Sequence, residues 1–378
     1  MIKRILENKI KNTFFEWKII MLLWARQIGK TTLVETILEK YYSDKKIISF
    51  NWDYIEDREL LNNNSLKKLE LFVDDKDIIF IDEAQKIKNI WNTLKILIDK
   101  YKDKKQIIIT GSSSINILDL TSEPLTWRKI VYNMFNISVA EFWKTYWIRE
   151  ADNNLENFLI FWWYPDVIKQ KDVSKKINVL KELSNSSLYR DILEFQQIKN
   201  SDIILKLLKL LALQIGSEVS ITELAKKLWI DSKTVDRYID LLIKSYIIFK
   251  LPPLFTNKRK ELSKQNKIFF YDLGIRNIII NNMSSLENRT DVWWLWENFL
   301  ILERMKLNSY NDKFLSSYFW RNYNKQEIDY IEEIWDQIYA YEFKWWKKTP
   351  KLPNWFIESF PKNHFKIINR DNYLEFIL

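Results

Sequence analysis

The sequence predicts an α/β fold that begins with a doubly wound parallel sheet, continues through a helical part and ends in a second α/β domain. Two patterns predict it. Short apolar runs alternate with helical patterns between residues 18 and 135, and runs of strand length return after residue 267. Because 378 residues exceed one ordinary domain, we expect three domains, at residues 1–150, 151–255 and 256–378.

The first predicted strand-to-helix junction has the pattern of a phosphate-binding loop, G-x-x-x-x-G-K-[ST]. The stretch WARQIGKTTL follows an apolar run and precedes a helical pattern, and Trp24 stands where the first Gly belongs. In such a loop backbone N–H groups bind phosphate, the Lys neutralises phosphate oxygens and the Thr hydroxyl holds Mg²⁺. The alternative is a chance G-K-T at a helix start. The predicted nucleotide-binding residues are Trp24, Ala25, Arg26, Gln27, Ile28, Gly29, Lys30, Thr31 and Thr32.

A strand that ends in two carboxylates supplies the second half of the predicted site. The run DIIFIDE ends at Asp82 and Glu83, about 50 residues after the loop. We predict that Asp82 holds Mg²⁺ together with Thr31, and that Glu83 orients and deprotonates the attacking water. A buried strand that merely ends in acidic residues is the alternative, and the upstream loop argues against it.

Three more polar residues are candidates for contact with the phosphates. Ser112 follows the next predicted strand and is either a sensor of the γ-phosphate or part of a Ser-rich helix cap. Arg128 is predicted to contact phosphate within its own subunit or across a subunit interface, and Arg190 is a second candidate. The alternative for each Arg is an ordinary surface or ion-pair role.

The middle of the chain predicts a winged helix-turn-helix. Helical periodicity runs from residue 155 to 214, and a capping box at Ser220 and Glu223 then starts a helix that is followed by a turn, a second helix and a strand. DNA contact, protein docking and a purely structural role all stay open, as they do for the basic loop at residues 257–267. The second helix presents Lys233, Arg237 and Lys244 as candidate phosphate contacts and Val235, Ile239, Leu242 and Ile243 as predicted core positions.

The last part of the chain predicts a nuclease-like site on a β-hairpin. A two-residue turn at Trp335 and Asp336 would place Asp329 directly opposite Glu342, with Lys344 on the same face. These carboxylates, completed by Glu297 from a helix, are predicted to bind Mg²⁺, and Lys344 to position or activate water, as a phosphodiesterase requires. The alternative is a cross-strand acid pair relieved by Lys344, with a surface ion pair between Glu327 and Lys344.

Composition limits the chemistry. The chain has no Cys and one His, which excludes disulfides, Cys-ligated zinc and His-based triads, so catalysis must rest on carboxylates, Lys, Arg and Mg²⁺. The net charge of +9 permits a nucleic-acid partner. Since there is no apolar run of 18 residues and no signal-peptide pattern, we expect a cytoplasmic protein without a membrane partner.

The chain has 4 Gly and 18 Trp, and several Trp stand where only Gly makes physical sense. We predict that the source organism decodes UGA as Gly and that the natural residue at these positions is Gly. These positions are Trp24, Trp127, Trp162, Trp163, Trp229 and Trp335.

Across nearly its whole length the sequence resembles prokaryotic AAA-type ATPases that join a phosphate-loop domain to a winged helix and a C-terminal domain of unknown function. The resemblance gives Lys30, Thr31, Asp82 and Glu83 the nucleotide roles, and it likens the C-terminal set to the core of restriction-endonuclease-like folds. The matching stretches include RQIGKTTL, IIFIDEAQKI, IITGSSS, YRDIL, FFYDLGIRN, LWENFL, YFWR, EIDYI and YEFK.

Together these observations predict a Mg²⁺-dependent ATPase that binds ATP and acts with or on DNA or another nucleic acid. The alternative is a nucleotide-dependent switch that binds protein or DNA without cleaving it. The sequence leaves the oligomeric state open, and an Arg contributed across an interface would need a homo-oligomer.

Overall fold

The computed structural model describes most of the chain, and all structural statements refer to that part. The described residues are 2–52, 54–62, 66–87, 90–112, 125–146, 153–161, 164–185, 201–255, 265–322, 324, 326–346 and 351–378. Several residues named above lie outside them, namely Trp162, Trp163, Arg190 and residues 257–264 of the basic loop, as do the last two Ser of the stretch IITGSSS. The chain divides into two compact units, Met1–Ile137 with Lys244–Tyr246 and Ser138–Ile243 with Ile247–Leu378.

The first unit is built on a five-stranded parallel sheet with the strand order β2-β3-β4-β1-β5. Chain order and strand order differ, so the chain crosses from one side of β1 to the other between β4 and β5. In open parallel sheets ligands bind at the carboxyl ends of the strands where such a reversal occurs. The elements are α1 (Leu6–Lys11), β1 (Ile19–Leu23), α2 (Lys30–Tyr41), β2 (Ile47–Asn51), α3 (Ile55–Asn62), α4 (Leu66–Val73), β3 (Ile78–Asp82), α5 (Ile90–Tyr101), β4 (Gln106–Gly111) and β5 (Lys129–Asn133).

Burial of the strands explains why apolar runs without alternation form this sheet. Every residue of β1 and of β4 is buried, which requires cover on both faces. One face packs against α5, whose Trp91, Leu94 and Leu97 share a core with the sheet. The predicted α/β fold and its first four strands are therefore confirmed, with bounds shifted by one or two residues.

The second unit begins with helices and contains the predicted helix-turn-helix. Ser220 caps the first helix by accepting a hydrogen bond from the N–H of Glu223 at 3.3 Å, as the capping box predicts. Val235, Ile239 and Leu242 are buried as predicted, and Ile243 is half-buried. The elements are α6 (Val139–Tyr146), α7 (Leu155–Ile160), α8 (Pro165–Ile168), α9 (Val173–Leu183), α10 (Ser201–Leu213), α11 (Ile221–Leu228), α12 (Ser232–Lys244), β6 (Ile248–Leu251) and β7 (Lys267–Phe270), of which β6 and β7 pair antiparallel.

The remaining part of this unit is a four-stranded sheet with helices. Its strand order is β11-β10-β9-β8, antiparallel except for the parallel pair of β10 and β11. Sequence reasoning found β8 to β10 but missed everything after Lys344. The elements are α13 (Leu273–Ile279), α14 (Val292–Tyr310), β8 (Ser316–Arg321), β9 (Glu327–Ile334), β10 (Gln337–Phe343), α15 (Asn354–Ser359), β11 (Asn363–Ile368) and α16 (Tyr373–Ile377).

Trp residues occupy left-handed backbone positions that bulky side chains rarely adopt. Among the described residues eleven non-Gly residues have positive φ, and four of them are Trp17, Trp127, Trp229 and Trp335, with φ between 54° and 69°. Three of the four, Trp127, Trp229 and Trp335, are positions where the sequence predicts Gly as the natural residue. Left-handed backbone favours Gly because it has no Cβ, so this geometry supports the proposed reassignment. Trp24 is not among them.

Among the described residues, no helix combines the length and the apolar character needed to cross a membrane.

Candidate functional site

The loop between β1 and α2 has the backbone of an anion-binding turn. Gly29 is the N-cap of α2 and lies in the left-handed region at φ 90°, and Gln27 also has positive φ. The helix starts directly at Lys30, so its first N–H groups point toward the loop. Fixed N–H donors and the positive helix end therefore face the space where a phosphate would bind.

Lys30 is buried and its ammonium is held by the loop itself. Its Nζ donates to the carbonyl oxygens of Trp24 at 2.9 Å and of Ala25 at 2.7 Å. Carbonyl oxygens are neutral partners, and the oxygens of a polyphosphate carry charge. The ammonium is thus kept beside the loop by partners that a nucleotide can replace.

Thr31 and Asp82 form a direct contact between the loop and the end of β3. The Thr31 hydroxyl donates to Asp82 Oδ2 at 3.0 Å and lies 3.2 Å from Oδ1. The hydroxyl of Thr110, on the neighbouring strand β4, also donates to Asp82. A hydroxyl and a carboxylate in contact are oxygen ligands of the kind that Mg²⁺ prefers, so this donor set fits the ion.

Glu83 lies beside the same site and is held by two polar side chains. Its Oε2 accepts hydrogen bonds from Ser112 Oγ at 3.0 Å and from Gln85 Nε2 at 2.6 Å. Gln85 also donates to Ser112 at 2.9 Å, and Arg26 Nε lies 3.4 Å from the same hydroxyl. Ser112 therefore contacts the carboxylate that is predicted to activate water.

Three residues of this neighbourhood were not predicted. Gln85 lies two residues after Glu83, and Thr110 lies two residues before Ser112. A polar residue so close to a predicted ligand is a signal from which both could have been predicted. Arg4 gave no such signal, because its partners are backbone carbonyls. It donates to the carbonyl of Ile28 at 3.0 Å and to that of Phe135, which braces the loop from a distant part of the sequence.

Trp24 is buried, and its ring packs against Phe135 with 4.1 Å between ring centroids. The backbone N–H of Trp24 donates to the carbonyl of Gly111 at 3.2 Å. The indole is therefore part of the core of this unit and does not extend into solvent at the loop.

Arg128 cannot contact phosphate within its own subunit, so that prediction is wrong. It immediately precedes β5, and its carbonyl accepts from the N–H of Ile19 at 2.7 Å, which places it at the amino end of β1. The phosphate loop follows the carboxyl end of the same strand. Arg128 Nε instead contacts Asp99 at 2.5 Å, and this partner raises the pKa of the guanidinium. Contact across an interface stays a prediction.

In the second unit the hairpin has the predicted register. Ile334 pairs with Gln337 around a turn at Trp335, and the ladder runs on to Tyr330 and Tyr341. Asp329 and Glu342 are the next residues on the two strands. Asp329 also accepts a hydrogen bond from the N–H of Phe343 at 2.7 Å, which fixes its carboxylate at this end of the hairpin.

Lys344 contacts Glu342, as the shared face predicts, whereas the ion pair of Glu327 with Lys344 that the alternative expected does not form. Glu327 and Glu297 both contact Lys267 instead. Lys267 was predicted as the end of a basic loop, and this is wrong because it is the buried first residue of β7. No motif marks Lys267, because it meets the carboxylates only through the fold.

Three carboxylates come close enough to share one cation. Ligand oxygens of Glu297, Glu327 and Asp329 lie within 4.8 Å of one another, and we call these three residues the carboxylate cluster. Glu342 borders it without belonging to that group. Sequence reasoning therefore found Glu297 and Asp329 and missed Glu327.

Burial and crowding of like charges shift the acid-base behaviour of this region. Burial raises the pKa of Glu297 to about 8 despite its contact with Lys267, and burial together with the charge of Asp329 raises that of Glu342 to about 7. Burial also raises the pKa of Asp329. Burial opposes the charge on Lys267, but attraction to the carboxylates raises its pKa above the ordinary value.

Comparisons with known proteins agree with the nucleotide site. A family model described as an AAA domain matches residues 16–143, which contain the loop, Asp82 and Glu83. Residues 16–143 thus have a P-loop fold and are similar in sequence to an AAA domain, and we call them the AAA domain. After this AAA domain, two models described as domains of unknown function (DUF8612 and DUF4143) match residues 152–286 and 294–370.

Relatives extend over both the AAA domain and the second unit. An uncharacterized protein of Mycobacterium tuberculosis is 23% identical over 89% of this chain and 72% of its own length. An uncharacterized protein of Methanocaldococcus jannaschii is 25% identical over 87% and 75%. The sequence similarity to these proteins thus extends beyond the AAA domain.

Among solved structures, the replication initiator DnaA bound to AMPPCP and single-stranded DNA is 15% identical, with a TM-score of 0.30 over 63% of this chain and 86% of that one. Cdc6p from Pyrobaculum aerophilum is 13% identical, with a TM-score of 0.31 over 73% and 91%. At these scores the alignments add nothing to the assignment of the AAA domain.

Proposed function

We propose that the protein is a Mg²⁺-dependent ATPase that works on or with DNA. The ATPase part of this proposal rests on the contact of Thr31 with Asp82, since it joins the loop to the acidic end of β3. When bound, Mg²⁺ would neutralise charge on the phosphate oxygens. Lys30 binds the phosphates from the loop side, and Glu83 accepts a proton from water.

Two substitutions separate binding from hydrolysis. Lys30→Ala removes the ammonium and is expected to abolish nucleotide binding, whereas Glu83→Gln keeps the hydrogen-bonding shape and is expected to bind ATP while turnover falls on the order of a hundredfold or more. Lys45→Ala, in an exposed turn, is the control. All variants are assayed in the parent and in a Trp24→Gly background. Turnover by Glu83→Gln at the parent rate in both backgrounds rejects the assignment.

The helix-turn-helix supports contact with DNA. Lys233 and Arg237 lie four residues apart on α12, and both are exposed. The acidic residues of that helix, Asp236 and Asp240, contact Lys250 at 3.9 and 3.0 Å, which offsets their charge. A bridge between Glu218 and Lys267 adds a third segment to β6 and β7, in the helix, helix and sheet order of a winged helix.

Salt dependence tests this part of the proposal. If Lys233 and Arg237 contact phosphates, the double variant Lys233→Ala/Arg237→Ala reduces the slope of log affinity against log salt by about 1 for each lost contact. Lys169→Ala/Lys366→Ala, which breaks exposed surface pairs with Asp166 and Glu375, is the charge-matched control. An unchanged slope in the double variant would mean that the helix-turn-helix serves in protein docking or has a structural role.

A second candidate activity is phosphodiester cleavage by the second unit. The neighbouring strand positions of Asp329 and Glu342, with Lys344 in contact with Glu342, favour it. Plasmid nicking with Mn²⁺ that disappears in Asp329→Ala supports cleavage. Intact ATP hydrolysis without nicking leaves the alternative, a nucleotide-dependent switch that binds DNA or protein.

A further inference from the structure

Lys267 lies inside the second unit at the meeting point of three elements. Its side chain is 3% exposed, and its Nζ lies 2.7 Å from Glu297 Oε1 on α14 and in contact with Glu327 Oε1 on β9. The Nζ also lies 5.3 Å from the centre of the Phe319 ring on β8. The ammonium is therefore surrounded by two carboxylates and an aromatic face, all of which attract a cation.

The surroundings of this ion pair leave little spare room. Gly216 packs so closely that a Cβ built on it would lie 3.1 Å from Glu297 Oε2 and 3.0 Å from the Trp294 ring. The N–H of Gly216 donates to the carbonyl of Ile268, next to Lys267, at 3.1 Å. Glu297 and Lys267 are thus held by backbone on one side, and neither side chain can turn toward water there without moving this contact.

A divalent metal would use the same oxygens as the ammonium. Divalent ions need several oxygen ligands at about 2.0–2.6 Å. The cluster offers Glu297, Glu327 and Asp329, and two of them already contact the ammonium. A metal within reach of all three carboxylates would lie against Lys267, where like charges repel strongly in a buried setting.

We propose that the ammonium of Lys267 is the resident cation of the carboxylate cluster and excludes a divalent metal from it. A metal binds only when Lys267 withdraws. Lys267 is also the first residue of β7, which pairs with β6, so a shift of its backbone would move this pair of strands. This inference does not depend on ATP hydrolysis, and it sets the condition under which the candidate phosphodiesterase can act.

The opposite arrangement, in which Lys344 is the cation of the cluster, does not fit the contacts. Lys344 is more exposed than Lys267, contacts Glu342 and lies 4.9 Å from the centre of the Trp293 ring. Glu342 is outside the group of three carboxylates. Lys344 therefore provides a matched control, since it is a cation of the same region that does not occupy the cluster.

The experiment measures Mn²⁺ binding without nucleotide, by electron paramagnetic resonance, in an Asp82→Asn background that removes the metal site of the AAA domain. The parent chain is expected to show no Mn²⁺ binding that depends on Asp329. Lys267→Met is expected to bind one Mn²⁺ at least about tenfold more tightly, a difference of about 1.4 kcal/mol. Lys344→Met is expected to show no Mn²⁺ binding that depends on Asp329, and Asp329→Asn added to Lys267→Met is expected to abolish the gain.

Folding is checked in the same series. Lys267→Met leaves buried carboxylates without a counter-ion, so its thermal midpoint is expected to fall and to recover with Mn²⁺ but not with Na⁺ at equal ionic strength. Lys267→Arg keeps the charge and is expected to stay folded without binding metal. Two results would overturn the proposal. One is Mn²⁺ binding by the parent or by Lys267→Arg that disappears when Asp329→Asn is added. The other is a folded Lys267→Met chain that binds Mn²⁺ no more tightly than the parent.

Cleavage is scored separately. Lys267→Met that binds Mn²⁺ and nicks plasmid supports both proposals. Binding without nicking keeps the resident-cation role of Lys267 and rejects the phosphodiesterase candidate.

Discussion

The hydroxyl of Thr31 lies 3.0 Å from Oδ2 of Asp82, although the two residues are 51 positions apart in sequence. The contact places the hydroxyl and the carboxylate side by side, in the arrangement that a shared ion requires. Preorganisation of this kind lowers the entropy that must be lost on binding. The two residues should therefore act as one unit.

We predict that Thr31→Val and Asp82→Asn each lower Mg²⁺-dependent ATP turnover by on the order of a hundredfold, and that the double variant is no worse than the poorer single one. Turnover is measured across a Mg²⁺ titration. Thr36→Val is the control, since Thr36 lies on the same helix and its hydroxyl contacts only the carbonyl of Thr32, at 2.7 Å. Additive losses in the double variant would show that the two residues act independently.

Trp24→Gly is expected to bind ATP about tenfold more tightly than the parent chain, which corresponds to about 1.4 kcal/mol of binding free energy. The Trp24 ring itself packs in the core against Phe135, so the expected gain comes from the backbone, which can approach the phosphates more closely without a Cβ at this position. The substitution also removes a buried ring, so Phe135→Ala is the control, because it loosens the same packing without a new Gly. Isothermal titration with a slowly hydrolysed ATP analogue measures both. Equal affinities in the Trp24→Gly and parent chains would show that a side chain at this position does not hinder phosphate binding.

The nucleotide site could be predicted from sequence because its residues lie in short local patterns. Lys30 and Thr31 are set by one loop, and Asp82 and Glu83 by one strand end, so strand order alone brings them together. Local turn geometry likewise gave the register of the hairpin from Trp335 outward. Each of these predictions depends on neighbours in the chain.

Long-range contacts between single residues could not be predicted in this way. Arg4 contacts a carbonyl 24 residues away and another 131 residues away, and neither partner has a distinctive side-chain pattern. Lys267 and Glu297 are 30 residues apart on different elements. The error for Arg128 has the same origin. Arg128 lies just before β5, at the amino end of β1, whereas the loop follows the carboxyl end of β1, and this distance depends on how the strands pair.

Trp229→Gly is expected to stabilise the chain, because Trp229 is 93% exposed and has φ 57° at the end of α11. Removing its Cβ relieves left-handed strain of about 1 kcal/mol, and few contacts are lost. That gain raises the thermal midpoint by roughly 2–4 °C for a unit of this size. Trp294→Gly, inside α14, is the control and is expected to destabilise by about 1 kcal/mol. A lower midpoint for Trp229→Gly would contradict the reassignment at this position.

Arg128 provides a test of subunit interfaces. If it contacts phosphate on a neighbouring subunit, Arg128→Ala and Lys30→Ala chains are each inactive, and an equal mixture recovers roughly a quarter of the parent ATP turnover through sites that have both residues. Asp99→Asn breaks the ion pair of Arg128 without removing the guanidinium, and it is expected to keep activity. Inactivity of Asp99→Asn, or a mixture no better than its components, assigns Arg128 a structural role.

Asp291 provides a pH-dependent test of the second unit. It contacts two buried guanidinium groups, with 2.8 Å between its Oδ1 and Arg289 Nε and a second contact to Arg276. Burial alone would raise the pKa of Asp291, but hydrogen bonds from Arg289 and Arg276 lower it from 3.8 to about 2. Its folded pKa therefore lies below its unfolded one, so its stabilising contribution is complete above pH about 4 and is lost as the pH falls toward 2.

We accordingly expect Asp291→Asn to lower the free energy of unfolding by about 1–2 kcal/mol at pH 7, allowing for solvent screening. The deficit should be constant from pH 8 to 5 and shrink below pH 4, because protonation removes the same charge from the parent chain. Urea unfolding at fixed pH values between 3 and 8 measures it. Asp336→Asn, which breaks an exposed pair with Lys362, is the control and should cost less. A deficit that stays unchanged down to pH 3 would mean that the packing of Asp291, and not its charge, stabilises this unit.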